Sequence, residues 1–230
     1  MTGLETTGTF VLPGGASVLF TTKADGNMSS VGGTDAQDGA GNRERLRLRL
    51  GLAALARGYQ VHGSAVQIVT APGQDPPDND SLAHADGQVT CLEGVGVTVL
   101  SADCLPIAVA GEGSVGVLHA GWRGLAAGVI GQGVAALREV GAKGPLHAVV
   151  GPCAGACCYE VGPEVHSALD SPVEGRANID LRAIAHRMLA EAGVATVRDL
   201  DACTICDERF FSHRREGERA GRMAAVAWLS

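Results

Sequence analysis

Aromatic residues are scarce in this 230-residue chain: four Phe, two Tyr and two Trp make up only 3% of it. Basic residues are outnumbered too, since 18 Lys and Arg against 25 Asp and Glu give a net charge of −7. This balance argues against a nucleic-acid partner, which needs a basic surface. No apolar run approaches the roughly 18 residues of a membrane span, and the first residues lack a secretory signal pattern. The sequence predicts a cytoplasmic protein without nucleic-acid or membrane partners.

Apolar residues make up 46% of the chain, enough for a sizeable core. Short strand-like segments, most bounded by Gly or Pro, are predicted at 9–12, 17–21, 66–70, 87–91, 95–101, 114–119, 146–151, 195–200 and 223–229. A surface loop is predicted over 24–42, and helices over 43–57, 125–140 and 181–192. Because strands and helices interleave without regular βαβ alternation, we expect one mixed-sheet α+β or α/β domain over residues 1–230.

One thiol and two imidazoles stand out as possible metal ligands. Cys104 and His119 lie 15 residues apart near the ends of apolar runs, and His62 lies upstream in Gln60-Val61-His62-Gly63. Zn²⁺ takes such ligands, and a three-ligand set leaves a fourth position for water or substrate, as in catalytic sites. The spacing matches no compact zinc motif, so a buried Cys104 and a hydrogen-bonded core His119 remain an alternative.

The segment His119-Ala120-Gly121-Trp122-Arg123-Gly124 leads into a predicted helix. Backbone N–H groups at that helix start, together with Arg123, would form a pocket for phosphate or carboxylate. Trp122 and Arg123 would otherwise be a stacking pair that closes a turn. The sequence alone leaves both interpretations open.

The other cysteines favour packing over chemistry. The seven Cys are an odd number without a secretory signal, which argues against a disulfide framework. Cys153-x-x-x-Cys157-Cys158 would suit a second metal or redox centre, but close thiols without a His favour simple packing. Cys203-x-x-Cys206 has thioredoxin-like spacing yet follows a predicted strand instead of opening a helix, so a redox role is disfavoured.

Nine segments stand out as a set along the chain. They are Gln60-Val61-His62-Gly63, Ala85-Asp86-Gly87-Gln88-Val89-Thr90, Ala102-Asp103-Cys104-Leu105-Pro106, His119-Ala120-Gly121-Trp122-Arg123-Gly124, Gly151-Pro152, Tyr159-Glu160-Val161-Gly162, Asp201-Ala202-Cys203-Thr204, Phe210-Phe211-Ser212-His213-Arg214-Arg215 and Gly221-Arg222-Met223-Ala224. On these segments the chain resembles, from about Phe20 to Leu229, the YfiH-like family, long labelled polyphenol oxidase or laccase-domain proteins. The resemblance implies a layered α-β-β-α fold with mixed sheets. It also implies that His62, Cys104 and His119 bind one zinc ion, with Cu²⁺ as an adventitious occupant.

The resemblance further implies purine nucleoside phosphorylase activity on adenosine, inosine and methylthioadenosine, with adenosine deamination as a second activity. Purine nucleosides and phosphate would then be the partners of a monomer or homodimer. Cys104, His119 and Asp103 are the catalytic candidates. The substrate-binding candidates are Arg123, Gln60, Arg43, His213 and Arg214.

Three other functions remain open. A cysteine hydrolase or amidase, including one that edits peptidoglycan precursors, would use Cys104 as nucleophile and His119 as base. A copper polyphenol oxidase would need more histidine ligands than are visible, because the seven His include no His-x-His pair. A metal-stabilised binding protein would bind ligand without turnover.

The N-terminal motif departs from the family pattern. A T-T-R-x-G-G-V-S segment is usual, whereas this chain reads Thr21-Thr22-Lys23-Ala24-Asp25-Gly26, and residues 23–41 diverge as a whole. If the family Arg contacts substrate, Lys23 offers a point charge in place of a bidentate fork.

Overall fold

The computed structural model describes residues 8–73 and 81–230, whose strands form two mixed sheets and one short ribbon. The five-stranded sheet contains β1 (Phe10–Val11), β2 (Ala16–Phe20), β3 (Ala54–Arg57), β6 (Val95–Ser101) and β13 (Met223–Leu229), in the order β1-β2-β13-β6-β3. The six-stranded sheet contains β4 (Val66–Val69), β5 (Gly87–Thr90), β7 (Leu105–Glu112), β8 (Ser114–Ala120), β9 (Lys143–Val150) and β12 (Val194–Asp199), in the order β12-β9-β7-β8-β5-β4. The ribbon pairs β10 (Glu160–Val161) with β11 (Ala177–Asn178).

Six α-helices and three single-turn 3₁₀ helices connect these strands in the described residues. The α-helices are α1 (Gly39–Arg49), α2 (Trp122–Ala126), α3 (Val129–Glu139), α4 (Pro163–Ala168), α5 (Leu181–Glu191) and α6 (His213–Glu216). The 3₁₀ turns are Lys23–Asp25, Ala36–Asp38 and Gly217–Arg219. The longest of these helices has 11 residues, so none in the described ranges is long enough to cross a bilayer.

The layers follow from which sheet faces are apolar. Val97 and Ala225 of the five-stranded sheet pack against Val117 and Val149 of the six-stranded sheet, which closes an inter-sheet core. The opposite face of the six-stranded sheet packs on α3 and α5, whereas that of the five-stranded sheet packs on α1. Small Ala and Val side chains let the two sheets lie close together. The expected α-β-β-α arrangement with mixed sheets is therefore confirmed.

Two predicted helices differ from the observed ones. The helix expected over 43–57 begins earlier, inside the predicted loop, and ends at Arg49. Gly51 then adopts φ +68°, and Ala54–Arg57 pairs in parallel with β6. Sheet pairing and burial override the helical propensity of that Ala- and Leu-rich stretch. The helix expected over 125–140 begins at Trp122 and is split by Gly128, whose φ of +84° no helix accepts.

One of the two central strands of the six-stranded sheet is missing from the prediction. Leu105–Glu112 lies between β8 and β9 and is buried except at its last residue. Pro106 near its start and its Ala- and Gly-rich sequence hide the strand signal, because a proline argues against a central strand. By contrast, α5 matches its prediction. Asp180 caps the helix by accepting from the Ala183 N–H at 2.9 Å, and Gly193 follows its end.

Candidate metal centre

Three predicted ligands meet at one end of the two sheets. His62 lies in the turn after β3, Cys104 between β6 and β7, and His119 near the end of β8. Their ligand atoms, one Sγ and two ring nitrogens, all lie within 4.8 Å of one another. The imidazole rings of His62 and His119 are 4.9 Å apart and tilted by 69°. Residues separated by up to 57 positions in sequence thus form one compact donor set.

A fully buried carboxylate organises this donor set. Asp86 accepts the His119 Nδ1–H at 2.8 Å, which leaves Nε2 as the ring nitrogen of His119 that is available to Cys104 or to a metal ion. The same carboxylate accepts the backbone N–H groups of Val61, His62 and Gly63 at 2.7–3.0 Å. These bonds hold His62 at φ +59°, a conformation that non-glycine residues rarely adopt. Asp86 therefore fixes both histidines, as carboxylates commonly do behind metal-bound imidazoles.

Gly121 keeps the space beside the ligands open. A Cβ at this position would lie 2.9 Å from the Cys104 Sγ and 3.3 Å from the His62 ring. Only glycine leaves room there for the thiol, the imidazole and an ion between them. The donor chemistry, the orientation of His119 and this clearance together fit a metal ion of the zinc class.

Cys104 and His119 perturb each other's ionisation. Burial opposes ionisation of the Cys104 thiol, but attraction to His119 and hydrogen bonds from both histidines lower its pKa to about 6. Burial likewise opposes the charge on His119, yet Cys104 and the Asp86 hydrogen bond raise its pKa to about 9. These interactions favour the thiolate form of Cys104. A thiolate is the form in which cysteine binds metals or attacks substrates.

The donor set faces a cavity of about 620 Å³, a size typical of small-molecule sites. Both tyrosines of the chain and one of its two tryptophans line the cavity, namely Tyr59, Trp122 and Tyr159. Tyr59 is partly exposed and its ring lies 5.1 Å from that of His84. In a chain with so few aromatics, this concentration marks the cavity as a surface for a flat, apolar group.

The cavity is cationic although the chain is acidic. Four arginines line it, and Asp103 is the only acidic residue among the described lining residues. Arg123 lies 4.4 Å from the Trp122 ring, so the predicted stacking is present, but its guanidinium has no hydrogen bond or ion pair within residues 8–73 and 81–230. Arg214 donates to the Glu160 carbonyl at 2.8 Å. Such a lining attracts an anion.

Asp103 is held tightly by its neighbours. Its carboxylate accepts from the Thr204 hydroxyl at 2.6 Å, the Ser212 hydroxyl at 3.1 Å and the Arg214 N–H at 2.6 Å. Asp103 itself has φ +89°. These contacts tie the 204–214 segment to the ligand loop, which is a positioning role in the geometry of the turn.

The other predicted substrate contacts fall into two groups. Gln60 and His213 line the cavity, but the Gln60 amide is paired at both ends with the Leu100 backbone at 2.7 Å, and His213 Nδ1 contacts the Gly217 carbonyl at 3.0 Å. Arg43 is not among the lining residues. It is buried and donates to the Met28 carbonyl at 2.6 Å, so it supports the cavity rim from behind.

The divergent Lys23 also acts indirectly. Its ammonium pairs with Glu216 at 2.7 Å and lies 5.4 Å from the Phe211 ring. Lys23 is likewise absent from the described cavity lining. It therefore anchors the segment that carries His213 and Arg214.

Comparison with known proteins now decides the family. Residues 11–230 match the family described as multi-copper polyphenol oxidoreductase laccase. The chain belongs to this family. A purine nucleoside phosphorylase of Xylella fastidiosa (strain 9a5c) is 41% identical over 226 aligned residues, covering 89% of this chain and 84% of the relative. The crystal structure of YlmD from Geobacillus stearothermophilus has a TM-score of 0.86 at 33% identity, covering 98% of this chain and 97% of that one. YfiH from Bacillus licheniformis has a TM-score of 0.82 at 25% identity, covering 94% and 93%.

These likenesses confirm the resemblance to the YfiH-like, laccase-domain family, which implies a metal-binding site. The family's description names several copper ions, whereas the described residues hold only two groups of three or more potential ligands. One is His62, Cys104 and His119, and the other consists of cysteines alone. Neither offers the histidine-rich set that a multicopper cluster would need.

Sequence reasoning missed Asp86, Arg57 and Arg222 as site residues. Asp86 stands in Ala85-Asp86-Gly87, immediately before a buried strand, and that placement was the available signal. Arg57 and Arg222 also line the cavity. Arg222 stands in the motif Gly221-Arg222-Met223-Ala224, whereas nothing in the sequence around Arg57 distinguishes it from other arginines.

Proposed function

We propose that the chain is a purine nucleoside phosphorylase that acts on adenosine, inosine and methylthioadenosine, with zinc held by His62, Cys104 and His119. The observation that carries the proposal is one cavity that joins a metal-donor set, aromatic walls and the Arg123 guanidinium, which has no hydrogen-bond acceptor among the described residues. Its relatives' names support the same activity.

Phosphorolysis joins a phosphate oxygen to C1′ of the ribose and breaks the bond from C1′ to the purine nitrogen. The products are ribose 1-phosphate and the free base, which takes up a proton. The protein must therefore hold a flat base, a ribose and an anion together while positive charge develops on the sugar. The cavity offers groups of each kind.

The base and the phosphate are assigned to different walls. Tyr59 is the better candidate to stack on a purine, because the Arg214 guanidinium already lies 4.8 Å from the centre of the Tyr159 ring. Arg123 is the strongest phosphate candidate, because its guanidinium is exposed and is held in place by Trp122 instead of a protein acceptor. Arg214 assists less, because one of its donors is engaged with the Glu160 carbonyl.

The metal ligands orient the chemistry. When bound, Zn²⁺ supplies a Lewis acid at the cavity wall. Asp86 keeps His119 in the tautomer whose Nε2 is available to Cys104 or to a metal ion, and Asp103 positions the segment that bears Arg214. Adenosine deamination, in which water replaces the C6 amino group and ammonia leaves, is proposed as a second activity of this cavity because it needs the same base-binding wall.

The test is product analysis with adenosine, inosine and methylthioadenosine, each with and without phosphate. We expect free base and ribose 1-phosphate, or its methylthio analogue, only when phosphate is present, and inosine from adenosine in either case. The exposed Cys91 lies outside the cavity, so Cys91→Ser serves as a control with wild-type turnover. Base release that needs no phosphate would contradict phosphorolysis.

A cysteine hydrolase is the second candidate, because Asp86, His119 and Cys104 succeed one another like a carboxylate–base–nucleophile triad. Peptidoglycan-precursor amides are one substrate class for it. The two candidates respond oppositely to metal removal: a chelator should abolish phosphorolysis but free the Cys104 thiol for hydrolysis. Elemental analysis of protein purified without added metal identifies zinc or copper directly.

A further inference from the structure

Four cysteines that no step of the proposed reaction uses converge at a second place. Cys157 and Cys158 follow β9, whereas Cys203 and Cys206 follow β12. Their sulfur atoms all lie within 4.8 Å of one another. The Cys206 Sγ is 3.0 Å from that of Cys158 and 3.5 Å from that of Cys157. Neither pair of cysteines alone favoured a site, but the fold brings the pairs together.

Core packing does not account for this cluster. Cys157 and Cys206 are exposed, and Cys158 and Cys203 are only partly buried. Cys153 shows the contrast: it is fully buried, contacts Arg182 at 3.3 Å, and burial raises its pKa to about 12. The packing predicted for the cysteines thus holds for Cys153 but is wrong for Cys157 and Cys158.

The sulfur positions suit a tetrahedral ion. Four thiolates at about 2.3 Å from Zn²⁺ have sulfur–sulfur distances of about 3.8 Å. The cluster's two short separations of 3.0 and 3.5 Å and its upper limit of 4.8 Å lie on either side of that value. The backbone N–H of Gly155 donates to the Cys203 Sγ at 3.2 Å, an interaction that stabilises a thiolate. Cys203-x-x-Cys206 also has the ligand spacing common in structural zinc sites.

We propose that Cys157, Cys158, Cys203 and Cys206 bind one Zn²⁺ ion as a closed, structural tetrathiolate site. With four protein ligands the ion has no open position, in contrast to the site at His62, Cys104 and His119. This proposal is independent of the proposed activity.

The site would join the two segments that build one wall of the cavity. Cys158 precedes Tyr159, which lines the cavity, and Cys203 precedes Thr204, which donates to Asp103 at 2.6 Å. Arg215 donates to the carbonyls of Thr204 and Ile205, which ties the same segment to α6. An ion at the cluster therefore holds Tyr159 and the Asp103 contact in a fixed relation.

Metal content tests the proposal. The full chain is purified under reducing conditions without added metal, and zinc per chain is measured by elemental analysis. We expect two zinc ions in the wild type, one in Cys206→Ser, one in Cys104→Ala and two in the control Cys91→Ser. Equal zinc content in the wild type and Cys206→Ser would overturn the proposal.

A second measurement needs no variant. In native alkylation of the wild type, Cys91 should react while the four clustered cysteines stay protected, and a chelator should expose them. Reaction of the four at the rate of Cys91 before chelation contradicts the site. An intact mass lower by two hydrogens, without zinc, shows a disulfide instead, and peptide mapping tests whether it joins Cys158 to Cys206, whose sulfur atoms lie 3.0 Å apart. Iron with sulfide identifies a cluster of another kind, and both results overturn the zinc assignment.

Discussion

The two donor groups differ in number, environment and support. His62, Cys104 and His119 are three potential ligands at the wall of a cavity, and the buried Asp86 orients the two histidines. The cysteine cluster has four potential ligands near the surface, and backbone N–H groups of Gly155 and Cys206 support its Cys203 thiol. An open, oriented set suits chemistry, whereas a closed set suits stability. Removal of one ligand should therefore mainly lower activity at the cavity site and mainly lower stability at the cysteine cluster.

Loss of activity is the largest expected effect. Cys104→Ala removes one of three ligands at the cavity, so we expect nucleoside turnover to fall below detection while the fold is retained. The rate of base release from inosine and phosphate measures the activity, and circular dichroism shows whether the fold is retained. Cys206→Ser should retain measurable turnover at a temperature where it remains folded, with a partial loss because Tyr159 and the Asp103 contact are held less firmly. Equal losses of turnover in the two variants would contradict the assignment of chemistry to one donor group and stability to the other.

Loss of stability is the matching effect at the cysteine cluster. An exposed Cys→Ser change ordinarily alters unfolding by less than about 0.5 kcal/mol. If Cys206 binds a structural ion, Cys206→Ser should cost about 3 kcal/mol, a fall of roughly 6–12 °C in the unfolding midpoint. Cys91→Ser, also exposed, is the matched control in thermal unfolding. Identical midpoints for the two variants would show that the cluster holds no stabilising ion.

The sequence predicts the layers of the fold better than their details. The α5 helix follows from its cap and period, but β3 reads as helix because only pairing with β6 makes Ala54–Arg57 a strand. The ligands of the cavity site were predicted from donor type, aided by the family resemblance. Asp86 was not, because its importance comes from three N–H groups of a distant turn. The cysteine cluster likewise depends on segments more than 40 positions apart.

Weakened metal binding is the next effect in size, and it tests the support behind the open site. Asp86→Asn removes the charge that holds His119 Nδ1–H and the His62 turn, so we expect metal affinity there to fall about 10- to 100-fold. Competition with a chelator of known affinity measures the metal affinity of this site, under conditions in which the cysteine cluster keeps its zinc ion. Asp170→Asn is a suitable control, since Asp170 is exposed and Asn accepts its φ of +53°. Unchanged affinity in Asp86→Asn would mean that His119 needs no orienting partner.

The smallest effect concerns the anion wall beside the open site. Arg123 is stacked on Trp122 and has no protein acceptor within the described residues, so its fork is available for phosphate. Lys keeps the charge but not the paired donors, and losing a hydrogen bond to a charged group costs about 1.5–2 kcal/mol, or roughly ten- to thirtyfold. Arg123→Lys should raise the KM for phosphate by that factor and leave the zinc content and the unfolding midpoint unchanged. The control Arg187→Lys, at an exposed position, should change none of these three quantities. If Arg123→Lys instead lowers the midpoint with no change in phosphate KM, Arg123 serves the Trp122 turn alone, and the phosphate must bind at Arg214 or elsewhere on the cationic lining.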